Sequence, residues 1–152
     1  MMEGPGMAKI IRKISIHAPV EKVFLFVTSP DNWTKYVTSL SDIRDVSSPQ
    51  VEPGTTFTWE YCMLGLTFKG KGTVIENEKN SKFGLKMDGG LPNTEHYTFT
   101  PISGGTELMV EIDLAIPGKI MQVVAKSSVV EKLNQKEAEG VLDKIKTFCE
   151  NP

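Results

Sequence analysis

The sequence predicts an α+β fold: one strand, two short helices, a six-stranded antiparallel meander and a long C-terminal helix. Three observations predict it. From Leu40 to Ala115 apolar residues recur with period two, interrupted by turn chemistry such as Pro-Gly, Gly-Gly and Ser-Gly-Gly. Val20, Val23, Phe24 and Val27 instead fall at i, i+3, i+4 and i+7, the stripe of a short amphipathic helix. Near the end, Val130, Leu133, Ala138, Val141, Ile145 and Phe148 approximate one apolar stripe among lysines and acids.

Taken in order, the first strand covers Ala8 to His17, with Ile10, Ile14 and Ile16 in one phase. Arg12 shares that phase, so it either reaches inward or is released to solvent by a bulge, the reading preferred here. Pro19 suits the first turn of the helix that follows. Ser29-Pro30-Asp31 repeats a start signal, a capping serine before a proline, so Trp33 and Val37 sit one turn apart on a second helix. Six strands follow: Ser41–Ser47, Thr55–Met63, Leu66–Glu76, Lys82–Asp88, Thr94–Pro101 and Thr106–Ala115. Their short links imply sequential antiparallel pairing. From Lys119 to Glu150 the pattern is helical, but an unbroken helix of that length would run ~46 Å. A domain of this size is only ~38 Å across. A break is therefore expected near Ser127-Ser128, with Gly140 a second weak point.

Alternation assigns one face of the sheet to the interior: Phe57, Trp59 and Tyr61; Leu66, Phe68, Gly70, Gly72 and Val74; Phe83, Leu85 and Met87; Tyr97 and Phe99; Leu108, Val110, Ile112 and Leu114. Gly70 and Gly72 would let the sheet bend and would give up side-chain volume. The meander sorts its turns between two ends. One end is polar; the other gathers Met63-Leu64-Gly65, Gly89-Gly90-Leu91-Pro92 and Ala115-Ile116-Pro117-Gly118. Apolar residues on clustered turns suggest a ligand mouth formed by Met63, Leu64, Leu91, Pro92, Ile116 and Pro117. The alternative is that these tips pack on each other or on the helix start near Ile120 and Met121.

The 152 residues read as one domain, 8–150, behind a flexible leader, 1–7. With 39% hydrophobic and 24% charged residues the chain is not disordered by composition. A net charge of −2 gives no pull toward nucleic acid or acidic membranes, and no apolar run suffices for stable membrane insertion. Cys62 and Cys149 sit in no CxxC or Cys/His cluster, which argues against zinc and for free thiols in a cytoplasmic setting, a disulfide between them being the less favoured alternative. No phosphate loop, dinucleotide fingerprint, nucleophile elbow or HExxH occurs, so no cofactor or metal is called for. His17 and His96 fall outside the strand interior, and Glu60, Glu111 and Asp113 share the outer face, where cross-strand pairing with lysines is the plain reading. By strand phase the interior offers Tyr61, Tyr97 and the Trp59 indole as polar handles, and no His, Asp or Glu.

"SISIHAPVEKVFLFVTSPDNWTKY" resembles the opening of the START-related, birch-pollen-allergen-like superfamily. "GTTFTWEY", "GKGTVIE", "TFTPISGGTELMVEIDLAIPGKI" and the closing "EAEGVLDKIKTFCE" look like its polyketide cyclase/dehydrase and lipid-transport branch, often called SRPBCC. The resemblance spans Ala8 to Glu150. It implies the helix-grip fold, a curved antiparallel seven-stranded sheet wrapped around the long C-terminal helix with a cavity between them. It implies function poorly, because this superfold hosts many activities. The expectation is a protein that binds or transports a small hydrophobic molecule, such as a lipid, isoprenoid or polyketide-like compound. Phe57, Trp59, Tyr61, Phe68, Tyr97, Phe99 and Val110 from the sheet and Val130 and Leu133 from the helix would line the site. Two alternatives stand beside it. One is a cyclase/aromatase- or dehydratase-type enzyme using Tyr61 or Tyr97 with Arg12, disfavoured by the lack of interior acids and histidines. The other is a stress-response or chaperone-cofactor module acting through its outer face or apolar turns. No protein partner can be named from the sequence.

Overall fold

A computed structural model describes residues 6–63, 65–90, 92–116 and 127–151. Strand β1 (Gly6–Ile16) leads to helices α1 (Val20–Thr28) and α2 (Pro30–Tyr36). Six strands follow: β2 (Leu40–Arg44), β3 (Thr56–Met63), β4 (Leu66–Glu78), β5 (Lys82–Gly89), β6 (Asn93–Ile102) and β7 (Gly105–Ile116). Helix α3 (Ser127–Glu150) closes the chain. The strands form one antiparallel sheet in the order β1-β7-β6-β5-β4-β3-β2. This is the predicted meander, with β1 returning to pair along the whole of β7.

The inner face carries the predicted rows. Phe57, Trp59, Phe68, Val74, Phe83, Leu85, Met87, Tyr97, Phe99, Leu108, Val110, Ile112 and Leu114 are all buried. On the outer face Glu60 meets Lys69 at 3.7 Å, and Lys9 lies 3.6 Å from Glu111 and 3.8 Å from Asp113. These exposed pairs contribute little to stability each.

Gly70 and Gly72 do not leave open space. Gly72 faces Phe57 across the β3–β4 ladder and Gly70 faces Trp59. A Cβ on Gly72 would collide with the Phe57 ring, and one on Gly70 with the Trp59 ring and the Asp88 carbonyl. The volume released by the glycines is filled by the rings opposite, and the Trp59 indole donates to the Lys71 carbonyl at 3.0 Å. The β4–β5 register slips elsewhere, between Val74 and Glu76. A bulge there bends the strand and sharpens its twist, and Ile75 is left on the exposed side.

Three local expectations are corrected. Arg12 is not released by a bulge, because the β1–β7 register runs without a slip. It keeps its inward phase at the rim of the sheet and pairs with Glu139 of α3 at 3.2 Å. Ser29 does not cap α2: its hydroxyl donates back to the Leu25 carbonyl at 2.7 Å, closing α1. The buried stripe of α3 is Ala138, Val141, Leu142, Ile145 and Cys149. Phe148 sits at its margin, 44% exposed, with its ring stacked 5.3 Å from Phe26. Helical spacing from Ala138 gives i+3, i+4, i+7 and i+11, so the seam passes through Cys149 rather than Phe148. Both cysteines are free. The break expected near Ser127-Ser128 coincides with the start of α3, and residues 117–126 before it lie outside the described residues.

Helix α3 is fastened along β1 by its C-terminal half. Glu139 meets Arg12, Lys146 donates to the Ser15 carbonyl at 2.9 Å, and Glu150 accepts the His17 amide at 2.8 Å. Helix and strand therefore run in the same direction. The earlier turns of α3 point toward the end of the sheet where Gly6 pairs with Ile116. The β3–β4 and β5–β6 turns lie at that same end.

Candidate functional site

The site is built where α2, the β2 edge and the middle of the sheet meet. Helix α1 ends with carbonyls that have no partner within the helix. One of them, Val27, accepts both the Trp33 indole N–H at 2.9 Å and the Tyr36 hydroxyl at 2.8 Å. This double anchor turns α2 inward, placing two large rings over the sheet. Trp33 meets Phe57 edge-on at 5.0 Å, and Tyr36 meets Tyr97 edge-on at 6.4 Å.

Beneath these rings lies a cavity lined by Trp33, Tyr36, Val37, Leu40, Tyr61, Leu85, Met87 and Glu95. Its volume is about 10 Å³ for the centre of a water-sized sphere. That is at the lower bound for a single water. The lining is apolar except for the Tyr36 and Tyr61 hydroxyls and the Glu95 carboxyl. Glu95 is only 8% exposed, and no other acid or base among the described residues is buried.

Glu95 corrects the expectation of an interior without acids. It pairs with Leu85 on one side and Ile112 on the other. It thus shares the inward phase of Tyr97 and Phe99. The period-two rule that placed Tyr97 inside also places Glu95 inside; only the habit of assigning glutamate to solvent hides it. Its Oε1 accepts the Tyr97 hydroxyl at 2.9 Å. Burial, opposed by that hydrogen bond and assisted by the charge of Glu137, raises the carboxyl from 4.5 to about 7. Burial, with the charge of Glu95 added, also pushes the Tyr97 and Tyr36 hydroxyls well above their usual range. Tyr61 is raised by burial and by Glu137 and Glu95. Glu137, on α3, accepts the Ser39 hydroxyl at 2.7 Å. Two acids and three tyrosines thus converge on one apolar corner.

Of the residues expected to line the site, Tyr61 borders this cavity and Tyr97 reaches it through Glu95. Phe57, Trp59, Phe68, Phe99 and Val110 are buried on the same face. Val130 and Leu133 fall on α3, with side chains outside the described residues. At the apolar-turn end Pro92 is exposed; Leu64, Leu91 and Pro117 lie outside the described residues, as do the side chains of Met63 and Ile116. Sequence reasoning missed Glu95, Tyr36 and Glu137. Among the described residues no group of three or more His, Cys, Asp or Glu is placed to hold a metal ion.

A curved seven-stranded antiparallel sheet packed on a C-terminal helix, with a small cavity between the sheet and α2, defines a START-like helix-grip protein. The sequence matches the family described as "Polyketide cyclase / dehydrase and lipid transport" over residues 7–150, and the chain belongs to that family. Among solved structures it is similar to the di-domain ARO/CYC StfQ from the steffimycin biosynthetic pathway, with a TM-score of 0.75 and 15% identity. That match covers 95% of this chain and 51% of StfQ, so the chain spans about half the length of that protein. A START superfamily protein from Mycobacterium smegmatis is similar at a TM-score of 0.74 and 12% identity, covering 95% of this chain and 98% of that one. Ara h 8.0201 follows at 0.62 and 15%, covering 95% and 98%. No curated protein matches the sequence. Family and fold point to hydrophobic ligand binding or to cyclase/dehydrase-type function. Among the described residues no helix is long and apolar enough to cross a membrane.

Proposed function

We propose that the protein binds a small, mainly hydrophobic molecule between its sheet and α3, with the polar end of the ligand at Glu95. The observation that carries this reading is the Glu95 carboxyl itself. It is buried at the wall of an apolar cavity and has one hydrogen-bond partner among the described residues, Tyr97. A carboxyl held this way costs stability, and a ligand that hydrogen-bonds to it offsets part of that cost. Tyr61 and Tyr97 would help orient the head. The body of the ligand exceeds the described cavity and would extend under the first turns of α3, toward Val130 and Leu133. Phe57, Trp59, Phe68, Phe99 and Val110 would form the wall behind it. The turns carrying Met63, Leu64, Leu91, Pro92, Ile116 and Pro117 would form the entrance. Burial would supply ~25 cal/mol per Å² before ordering costs. Native mass spectrometry of gently purified protein, followed by solvent extraction, tests this. The expected result is a bound apolar compound, or uptake of one offered. Protein that is unliganded and refuses every compound in an apolar panel would overturn it.

The same carboxyl also supports a second reading, proton transfer on a bound substrate. An acid poised near neutrality beside a tyrosine hydroxyl suits general acid–base work. In this reading Glu95 and Tyr97 replace the pairing of a tyrosine with Arg12, which is engaged by Glu139. Incubation with a reactive poly-β-ketone thioester would give a product profile that differs from the uncatalysed one and reverts in Glu95→Gln. Identical profiles with and without protein would refute it.

A further inference from the structure

The groups around the cavity also define which heads it can accept. The acceptor side is rich: the Glu95 carboxyl inside, and Glu137 close enough that its charge acts on both Glu95 and Tyr61. The donor side is already engaged. The Tyr36 hydroxyl and Trp33 indole both serve the Val27 carbonyl, the Tyr97 hydroxyl serves Glu95, the Ser39 hydroxyl serves Glu137, and the Tyr61 hydroxyl is engaged with Glu137 and Ser39. No lysine, arginine or histidine among the described residues is buried. Arg12, the cation on the inner phase of β1, lies at the rim and is paired with Glu139.

An anionic head placed here would meet the Glu95 carboxyl, with the charge of Glu137 acting on it from α3, and would find no buried cation among the described residues and few uncommitted donors. Removing a carboxylate or phosphate from water without a compensating partner is strongly unfavourable. An ammonium head would itself have to leave water, and would need Glu95 ionised against the burial that favours its neutral form; a hydroxyl or carbonyl head meets neither obstacle. A ligand hydroxyl can donate to Glu95, and a ligand carbonyl can accept from Glu95 in its protonated form.

We propose that this cavity selects neutral hydrophobes bearing a hydroxyl or carbonyl head and rejects carboxylate- and phosphate-headed molecules, fatty-acid anions among them, with Glu95 making the choice. The proposal rests on the ligand-binding reading above and narrows it to a chemical class. It also predicts that the discrimination belongs to one residue rather than to cavity shape.

The test is a set of calorimetric titrations at neutral pH with four probes that share one ring system: naphthalene, 2-naphthol, 2-naphthoate and 2-naphthylmethylammonium. The expected order places 2-naphthol first and 2-naphthoate weaker by about tenfold or more. In Glu95→Gln, which keeps the shape and can still hydrogen-bond to Tyr97, the gap between naphthol and naphthoate should shrink several-fold. Equal or tighter binding of naphthoate by the unmodified protein overturns the selectivity, while binding of the other probes leaves the ligand-binding reading in place. Tightest binding of the ammonium probe overturns the neutral-head assignment. A gap unchanged in a folded Glu95→Gln variant removes Glu95 from the role. If none of the four binds, the selectivity falls; the ligand-binding reading falls with it only if the native protein also yields no bound compound on extraction and takes up none from the apolar panel. The ranking in the unmodified protein is decisive by itself should the variant not fold.

Discussion

The buried Glu95 carboxyl makes stability depend on pH in a specific direction. Its folded-state value is raised from 4.5 to about 7. Below pH 4.5 the carboxyl is protonated in both folded and unfolded chains, and its contribution is fully present. Between 4.5 and about 7 the unfolded chain releases the proton while the folded protein keeps it, so stability falls as pH rises. Above about 7 both states are ionised and the loss levels off. The full loss is about 3 kcal/mol. For a chain of this size that corresponds to a fall in melting temperature of roughly 6–12 °C. Glu95→Gln removes the titration and keeps the side-chain volume. Urea unfolding followed by tryptophan fluorescence, from pH 5 to 8.5, gives the difference between the two proteins, in which other titrating groups cancel. The variant should gain on the unmodified protein as pH rises, with the steepest change below pH 7. A difference that stays flat across the range, or runs the other way, would refute the placement of Glu95 in an apolar, cation-free interior.

Three other predictions follow from the packing. Gly72→Ala drives a methyl group into the Phe57 ring and should cost about 1–3 kcal/mol by urea unfolding; a neutral effect would mean that the ring does not cover the glycine. Gly140→Ala in α3 should stabilise by about 0.5–1 kcal/mol, because a Cβ there meets nothing within 4 Å and the helix gains propensity. A maleimide should label exposed Cys62 in the native protein and Cys149 only after unfolding, since burial pushes the Cys149 thiol up to about 11. Rapid native labelling at both sites would contradict the buried seam of α3.

Much of this architecture is legible in the sequence because sheet alternation is a strong local signal. The row Phe57, Trp59, Tyr61 and the row Phe68, Gly70, Gly72, Val74 mark the inner face, whereas the register that sets Phe57 against Gly72 and Trp59 against Gly70 is seen only in the folded sheet. What the glycines do is not legible. Whether their volume is left open or filled depends on the rotamers of the rings opposite, a tertiary property. The α1–α2 corner shows a similar limit. Ser29-Pro30 announces a helix start correctly, but the serine hydroxyl is drawn to the carbonyl of the preceding helix, which lies within reach four residues back. Glu95 is different, because its inward phase is written in the sequence and only its charge argues against it. A glutamate that alternates in phase with two buried aromatics is better read as a buried acid with a neighbouring hydroxyl. Tyr36 and Glu137 carry no such signal; their place at the site depends on how α2 and α3 pack.

The interior binding site is tested by isotope-filtered nuclear Overhauser measurements on labelled protein with 2-naphthol. Contacts from the ring protons to Leu85, Met87, Leu40 and the Tyr61 ring, saturating with one ligand per chain, are the predicted result. Contacts confined to exposed residues such as Leu25 and Phe148, with none to the sheet interior, would contradict it.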